Sequence, residues 1–191
     1  MNNQPMAAVI GGGPAGLMAA EQLTQAGFAV DLYDAMPSVG RKFLLAGIGG
    51  LNLTHSEDFA SFIARYAERA TELEPYLQAF SPEALRQWCN DLGVETFIGS
   101  SGRIFPKEMK AAPLLRAWLS RLKTQGLNLY PRHRCLGLSP TQEWLFQTPT
   151  GLIAKQYPVT VLALGGASWK KLGSDGAWVD WLGKQQIPIN P

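Results

Sequence analysis

The chain has 191 residues, of which 46% are hydrophobic, and a formal net charge of +2 at pH 7. A chain of this length predicts about one domain with a real hydrophobic core. The nearly balanced charge argues against nucleic acid or a membrane surface as a partner, and no apolar stretch is long enough to predict a membrane span.

The first predicted elements are a strand, a helix and a second strand, with a glycine-rich turn after the first strand. The apolar run 7–10 has no alternation, which is typical of a strand buried on both faces of a parallel sheet. Helix-favouring residues run from Pro14 to residue 25, and Gly27 suits a helix C-terminus. A second apolar run, 28–33, leads to an aspartate.

The glycine-rich turn predicts a binding site for an adenine dinucleotide. Gly11, Gly13 and Gly16 have the spacing G-x-G-x-x-G, which allows a tight turn, close approach to a pyrophosphate and close packing of helix on strand. The start of the helix directs free N–H groups and the positive end of its dipole toward a phosphate. Asp34 lies 18 residues beyond Gly16, where a ribose hydroxyl needs an acceptor, and its charge argues against the 2′-phosphate of NADP. The alternative is a structural turn that binds no ligand.

A glycine-rich connection follows, from residue 35 to residue 54. Its apolar residues are too frequent for disorder, so we expect a functional loop. Arg41 and Lys42 are adjacent cations that suit phosphate oxygens, and the alternative is a solvated charged pair. Residues 54–57 match a capping box, which predicts that the next helix begins at Thr54.

Three helices, each with one apolar face, are predicted between residues 57 and 125. The second opens at Ser81, a residue that favours the N-cap, and the third opens near Pro113. Residues 94–98 and 103–106 predict a short strand pair between these two helices.

The last third of the chain is predicted to be rich in strands. Four short segments between residues 127 and 155, separated by proline, glycine and serine, predict a small antiparallel meander. The apolar run 159–164 predicts another buried strand, which ends at Gly165, where a ligand's backbone can come close. A turn at 173–176 leads to a last helix near 177–182. Together these elements indicate an α/β fold.

These motifs resemble those of the BaiN/YhiN-type flavoproteins, which are NAD(P)/FAD-dependent oxidoreductases. Besides the opening fingerprint, four motifs carry the resemblance in the same order: 40–42 (Gly-Arg-Lys), 47–54, 102–106 (Gly-Arg-Ile-Phe-Pro) and 164–168 (Leu-Gly-Gly-Ala-Ser). The resemblance covers nearly the whole chain. It implies a Rossmann-like FAD-binding fold, with a parallel sheet and helices, a helical insertion at 56–126 and a β meander at 127–156.

The resemblance also implies which residues hold FAD. The pyrophosphate contacts it implies are Gly11, Gly13, Pro14, Ala15 and Gly16. It further implies that Asp34 binds the adenosine ribose and that Arg41 and Lys42 bind phosphates. By the same resemblance, the loop from Gly47 to Asn52 approaches the flavin, the backbone near Cys135 lies by the adenine, and Gly165 belongs to the cofactor site.

This chain departs from the family pattern in two respects. Many members have Arg-Cys before the asparagine of the flavin loop, whereas Gly50 and Leu51 precede Asn52 here, so a cysteine-dependent role at this loop is excluded. Members of the family are also longer and continue into a second, largely β domain. We therefore expect the chain to correspond to the N-terminal portion of a larger flavoprotein, with a fold that is incomplete at residue 191.

No catalytic residue is predicted. Flavin enzymes leave hydride transfer to the cofactor, while the protein supplies position and electrostatics. His55, next to the flavin loop, is either a proton donor or a residue at a helix start. His133, in a turn between two arginines, is expected to be exposed. No spacing of side chains predicts a metal site.

The expected function is an FAD-dependent oxidoreductase, or its N-terminal half, in which NAD(P)H or an organic substrate passes a hydride to the flavin. The alternatives are a truncated, non-catalytic product with weak or no FAD binding, and an NAD-binding dehydrogenase domain.

Cys89 and Cys135 form no close pair, and no basic residue precedes the apolar start of the chain. We therefore expect reduced thiols and a cytoplasmic protein. The sequence predicts neither the small-molecule substrate nor the oligomeric state.

Overall fold

The structure is a computed structural model that describes residues 4–189. The strands are β1 (Met6–Ile10), β2 (Ala29–Asp34), β3 (Thr54–His55), β4 (Thr96–Ile98), β5 (Arg103–Pro106), β6 (Leu127–Pro131), β7 (Arg134–Leu138), β8 (Trp144–Thr148), β9 (Gly151–Lys155) and β10 (Val159–Leu162). The α-helices are α1 (Pro14–Gln25), α2 (Arg41–Ala46), α3 (Phe59–Ala64), α4 (Ala70–Ala79), α5 (Pro82–Asp91), α6 (Ala111–Thr124) and α7 (Trp178–Lys184). Short 3₁₀ helices span Ala67–Arg69 and Lys170–Leu172.

The chain forms two compact units. The first contains the chain up to Phe43 and from Ser120 onward, and the second is Leu44–Leu119. The first unit is therefore built from two separate stretches of sequence.

A four-stranded parallel sheet in the order β10-β1-β2-β6 is the centre of the first unit. The apolar residues of β1 account for its central place, because Ala7, Ala8 and Val9 have no exposed surface. The chain leaves β1 toward β2 on one side, and β10 returns on the other side. The carboxyl ends of β1 and β10 therefore form a switch point, where open α/β sheets bind their ligands.

Helix α1 packs on this sheet through a buried face that includes Leu17 and Ala20. Glu21 lies on the same helix and is 1% exposed. Its Oε1 accepts a hydrogen bond from Arg121 Nη1 at 3.0 Å, and this ion pair joins α1 to α6. A buried carboxylate needs such a partner, because its desolvation is costly.

Aromatic side chains form a cluster between the sheet and the antiparallel strands β7, β8 and β9. The ring of Tyr33 stacks on Phe146 at 4.1 Å and on Tyr130 at 4.8 Å between centroids. The Tyr33 hydroxyl is 2.5 Å from that of Tyr157, which donates to Asp31 Oδ2 at 2.6 Å. Burial is the main reason that the pKa of Tyr33 rises to about 12, so this hydroxyl stays protonated at neutral pH.

Two predictions about the strands of this unit are wrong. Segment 127–130 belongs to β6, which pairs in parallel with β2, so the meander contains only β7, β8 and β9. Short apolar runs do not show which partner a strand takes. Strand β10 pairs only with β1 among the described residues, and Val159 and Leu162 are each 36% exposed, so β10 is an edge strand and is not buried on both faces.

The second unit combines helices with the small antiparallel sheet β3-β5-β4. Strands β4 and β5 are the predicted pair, and α5 begins as predicted, with Ser81 Oγ accepting from the N–H of Ala84. Trp88 and Trp118 meet edge to face, with ring centroids 4.8 Å apart. The buried helix residues of this unit include Cys89 of α5 and Leu114 and Trp118 of α6. Helices α3 and α4 have no buried residue, so the apolar face predicted for the first helix is not buried.

Some predictions about where helices begin, and about short helices, also differ from the structure. The predicted capping box is wrong, because Thr54 lies in β3 and the N-cap of α3 is Asp58, whose Oδ1 accepts from the N–H of Ser61. Helix α2 occupies part of the stretch predicted as a loop, and α4 was not predicted. Helix α4 contains Pro75, a residue that disfavours a helix interior.

Candidate functional site

A cleft lies in the first unit at the carboxyl ends of β1, β2 and β10, which is the switch point of the sheet. Its empty volume is about 860 Å³, including open solvent at its mouth. The lining residues come from the glycine turn, the end of β2, the start of β7 and the turn before α7. Of the twelve predicted cofactor residues, those that line this cleft are Gly11, Gly13, Pro14, Asp34, Arg41, Lys42, Cys135 and Gly165.

Each glycine of the fingerprint has a distinct geometric role. Gly11 has φ +111°, and a Cβ at this position would lie 2.2 Å from the carbonyl oxygen of Ala163. A Cβ on Gly16 would lie 1.8 Å from the carbonyl oxygen of Gly11, so a larger residue would push α1 away from β1. A Cβ on Gly13 would meet nothing within 4 Å. The protein is therefore tightly packed around two glycines and leaves open space above the third, where a pyrophosphate is expected to approach.

The N-terminus of α1 provides donors beside that open space. Gly13 is the N-cap residue, Pro14 is at the start of the helix, and no side chain caps it. The first-turn N–H groups of a helix lack intrahelical partners and carry the positive end of the dipole. Ala15 and Gly16 belong to this first turn but are not among the residues that line the cleft. This arrangement suits an anion such as a phosphate.

Asp34 points into the turn as well as the cleft. Its Oδ2 accepts from the N–H of Gly12 and its Oδ1 from the N–H of Met36, both at 2.7 Å. Burial raises the pKa of this carboxyl, while these two N–H groups and the nearby Arg41 oppose the rise. The contact of Asp34 with a ribose stays a prediction, but its carboxylate is held at the edge of the cleft by the backbone.

The two predicted phosphate-binding cations have different partners. Arg41 Nη1 donates to Ser38 Oγ at 3.4 Å, whereas Arg41 Nε is buried and has no partner. Lys42 Nζ donates to Ser168 Oγ at 3.1 Å. Both cations line the cleft, and their contact with phosphate oxygens stays a prediction.

Cys135 and Gly165 both line the cleft. Burial raises the pKa of the Cys135 thiol, so this cysteine is not an activated nucleophile. Gly165 has φ +76°, and a Cβ there would lie 2.7 Å from Ser174 Oγ. The carbonyl oxygen of Gly165 accepts from Trp178 Nε1 at 3.0 Å, which connects α7 to the segment that follows β10.

The predicted flavin loop lies in the second unit. A Cβ on Gly47 would lie 2.7 Å from Cβ of Ala111, so packing within this unit requires glycine here. Asn52 is exposed. The contact of Gly47 and Asn52 with a flavin stays a prediction.

His55 is in strand β3, so the alternative that placed it at a helix start is wrong, and a role as proton donor stays a prediction. Its Nδ1 accepts from the N–H of Glu57 at 3.2 Å, and its Nε2 lies 3.0 Å from the carbonyl oxygen of Ser101. A Cβ on Gly102 would lie 2.6 Å from the imidazole ring. With both ring nitrogens bonded to backbone, the ring fastens β3 to the turn between β4 and β5.

The sequence did not predict several residues that line the cleft. His133, expected to be exposed, is half-buried, and its Nδ1 donates to the carbonyl oxygen of Pro131 at 2.8 Å. Arg134 Nη2 donates to Asp175 Oδ2 at 2.5 Å, and this guanidinium lowers the pKa of the Asp175 carboxyl. The sequence signals near these residues were the turn at 173–176 and the implied place of Cys135 by the adenine, and neither gave His133, Arg134 or Asp175 a role.

Residues 4–189 contain neither a metal-binding cluster nor a membrane-spanning helix. No group of three or more His, Cys, Asp or Glu side chains is arranged to hold a metal ion within this range. No helix in the same range has the length and apolar character needed to cross a membrane.

The chain matches the family described as HI0933-like protein Rossmann domain over residues 5–191. Among solved structures, it is similar to THI4 of Thermovibrio ammonificans, with a TM-score of 0.61 and 16% identity, covering 97% of this chain and 64% of that one. It is also similar to the open conformation of a flavocytochrome c3 fumarate reductase, with a TM-score of 0.56 and 16% identity, covering 96% of this chain and 40% of that one.

A third similar structure is BexE, studied for oxidation during BE-7585A biosynthesis. Its TM-score is 0.55 at 18% identity, with 95% of this chain and 34% of that chain covered. At such identities these likenesses show the fold alone. The chain spans less than two thirds of the length of each of these three proteins.

Proposed function

We propose a function on the premise that this chain belongs to the HI0933-like Rossmann domain family, whose match covers residues 5–191 and confirms the resemblance seen in the motifs. The chain binds FAD in the cleft of its first unit and forms the cofactor-binding portion of a flavin-dependent oxidoreductase. The observation that carries this proposal is the open space above Gly13, at the N-terminus of α1 and at the switch point of the sheet.

The residues that line the cleft fit a dinucleotide. The pyrophosphate fits the start of α1, where no side chain caps the N–H groups, and Arg41, which lines the same cleft, has in its buried Nε an unused donor. The Asp34 carboxylate fits a ribose hydroxyl, because two N–H groups already fix its orientation. The adenine fits the wall that begins with Cys135.

When bound, FAD supplies the capacity to accept and return a hydride. The first unit holds the adenosine and pyrophosphate and so fixes the cofactor relative to the protein. NAD(P)H or an organic substrate is the proposed hydride donor. The chain spans only part of the structures it resembles, so the similarity in fold does not identify the complete reaction or its substrate. Both are part of this proposal.

Titration of the purified chain with FAD and with NAD, followed by flavin fluorescence and calorimetry, tests the proposal. We expect a yellow protein that binds FAD and has much lower affinity for NAD. Selective binding of NAD would favour a dehydrogenase domain, and a folded chain that binds neither would favour a non-catalytic product.

Gly13→Asp is a site-specific control for this titration. Aspartate is a favourable N-cap residue, and Gly13 has open space around it, so the variant is expected to fold at least as well as the original chain. Its carboxylate would occupy the phosphate position and repel the pyrophosphate. FAD binding that survives Gly13→Asp would contradict this location for the cofactor.

A further inference from the structure

We propose that the Ser174 hydroxyl is a further ligand of the dinucleotide and donates to its pyrophosphate from the β10 side of the cleft. This inference rests on the proposed function, because it requires a dinucleotide in that cleft. The sequence indicated only a turn at 173–176 and gave Ser174 no role.

The burial of Ser174 is the first argument. Ser174 is 5% exposed, and its Oγ is buried without a hydrogen-bond partner. Buried polar groups without a partner destabilise a protein, and those that persist need a reason such as a ligand. Within residues 4–189, the only other buried side-chain polar atom of this kind is Arg41 Nε, and both residues line the same cleft.

The backbone around Ser174 is fixed, so its hydroxyl is positioned before a ligand binds. Trp169 and Ser174 exchange backbone hydrogen bonds of 3.2 and 3.3 Å, which close the loop that contains the 3₁₀ helix Lys170–Leu172. The next residue, Asp175, is paired with Arg134. The backbone on both sides of Ser174 and the Asp175 side chain thus have partners, whereas the Ser174 hydroxyl has none.

The position of the hydroxyl indicates the pyrophosphate as its partner. Ser174 Oγ lies beside Gly165, because a Cβ on that glycine would be 2.7 Å from it. Gly165 follows Ala163 by two residues, and the carbonyl oxygen of Ala163 lies against Gly11. Ser174 therefore flanks the switch point from β10, whereas Asp34 flanks it from β2. Pyrophosphate oxygens only accept hydrogen bonds, which matches a hydroxyl and a guanidinium as unused donors.

Ser174→Ala tests this inference, with FAD, ADP and adenosine as probes. We expect affinity for FAD and ADP to fall about tenfold or more, the usual effect of a lost hydrogen bond to a charged group. Adenosine has no phosphate, so its affinity should not change. The melting temperature without ligand should stay the same or rise, because the variant removes a buried hydroxyl that has no partner.

Ser139→Ala is the matched control. Ser139 is also buried, at 9% exposed, but its Oγ is bonded to the Thr141 hydroxyl and accepts from the N–H of Glu143. This variant should lower the melting temperature and leave FAD affinity unchanged. The two serines thus separate loss of a ligand contact from loss of a structural one.

The outcomes distinguish this inference from the function on which it rests. If the original chain binds FAD and Ser174→Ala binds it equally well, the Ser174 inference is overturned and the proposed function stands. If the original chain binds no FAD, the proposed function itself fails. An equal loss for adenosine would overturn the pyrophosphate assignment, and a fall in melting temperature like that of Ser139→Ala would show a structural role.

Discussion

Asp34 shows how one side chain shapes the turn and also remains available to a ligand. Its two oxygens accept from the N–H groups of Gly12 and Met36. A carboxylate has about four acceptor positions, so lone pairs remain for a ribose hydroxyl. Because the backbone fixes the carboxylate in advance, little further ordering is needed when a ligand binds.

Replacing Asp34 with Ala is expected to weaken FAD binding by about 1–3 kcal/mol, because a hydrogen bond to a charged group is lost. Burial raises the pKa of this carboxyl above its ordinary 3.8. Affinity of the original chain should therefore begin to fall on acidification at a higher pH than an ordinary aspartate would give, because a protonated carboxyl is a weaker acceptor. The variant should not show this fall. FAD titrations of both proteins across a pH series provide the measurement.

Asp91→Ala is the control for the Asp34 variant. Asp91 is an exposed carboxylate at the end of α5 that accepts from Gln87 Nε2 at 2.8 Å. Its removal should leave FAD affinity unchanged. A folded Asp34→Ala protein with full affinity would show that the ribose contact was assigned to the wrong residue.

The residues of the site differ in how far the sequence reveals them. The spacing of Gly11, Gly13 and Gly16 was enough to predict the turn itself, although the packing of Gly11 against Ala163, far away in sequence, appears only in the fold. Ser174 owes its burial to Trp169 and to the end of β10, and those contacts exist only after folding. The local sequence contains no pattern that predicts these contacts, so sequence analysis did not identify Ser174 as a site residue.

Among the elements, β1, α1 and β2 were predicted well because each has its own strong pattern and clear ends. Strand β6 was placed in the wrong sheet because its pattern is equally compatible with a hairpin. Its partner is β2, where Asn128 Nδ2 donates to Asp31 Oδ1 at 2.9 Å, about a hundred residues away in sequence. Partner choice of this kind is a property of the tertiary fold.

The capping box at 54–57 failed for a related reason. Thr54 has the right spacing from Glu57, but its backbone pairs with Ile104 of β5. The N-cap role passes to Asp58, whose carboxylate bonds both the N–H and the hydroxyl of Ser61. A sheet contact thus overrides a short helix signal.

The packing of α1 on β1 leads to a prediction at the scale of these elements. In Gly16→Ala the new methyl group would lie 1.8 Å from the carbonyl oxygen of Gly11, so helix and strand must separate. We expect a loss of about 1–3 kcal/mol in the free energy of unfolding, as is typical of overpacking. Urea denaturation measures it.

Gly183→Ala is the matched control, because a Cβ there meets nothing within 4 Å in helix α7. Alanine is the better helix former, so this variant should be about 0.5–1 kcal/mol more stable. If Gly16→Ala were as stable as the original chain, the close contact of α1 with the turn would be wrong.

At the scale of the whole molecule, two distant stretches of sequence form the cleft. The glycine turn and Asp34 come from the first stretch, while Cys135, Gly165 and Ser174 come from the second. The intervening Leu44–Leu119 segment forms its own compact unit. The sequence motifs indicated a cofactor site at both ends, but only the parallel pairing of β1 with β10 brings the two ends together.

Amide hydrogen exchange, measured with and without FAD, is expected to locate the part of the molecule that binds the cofactor. Ligand that binds only the folded state stabilises it by about 2.7 kcal/mol at a concentration one hundred times its Kd. We expect the strongest protection in residues 10–16, 33–36 and 163–175, which surround the cleft, and little change in α3 and α5. Protection at 47–52 would support the predicted flavin loop, and its absence would contradict that assignment. Protection confined to α3 and α5 would instead place the cofactor in the second unit, and the cleft of the first unit would lose its proposed role.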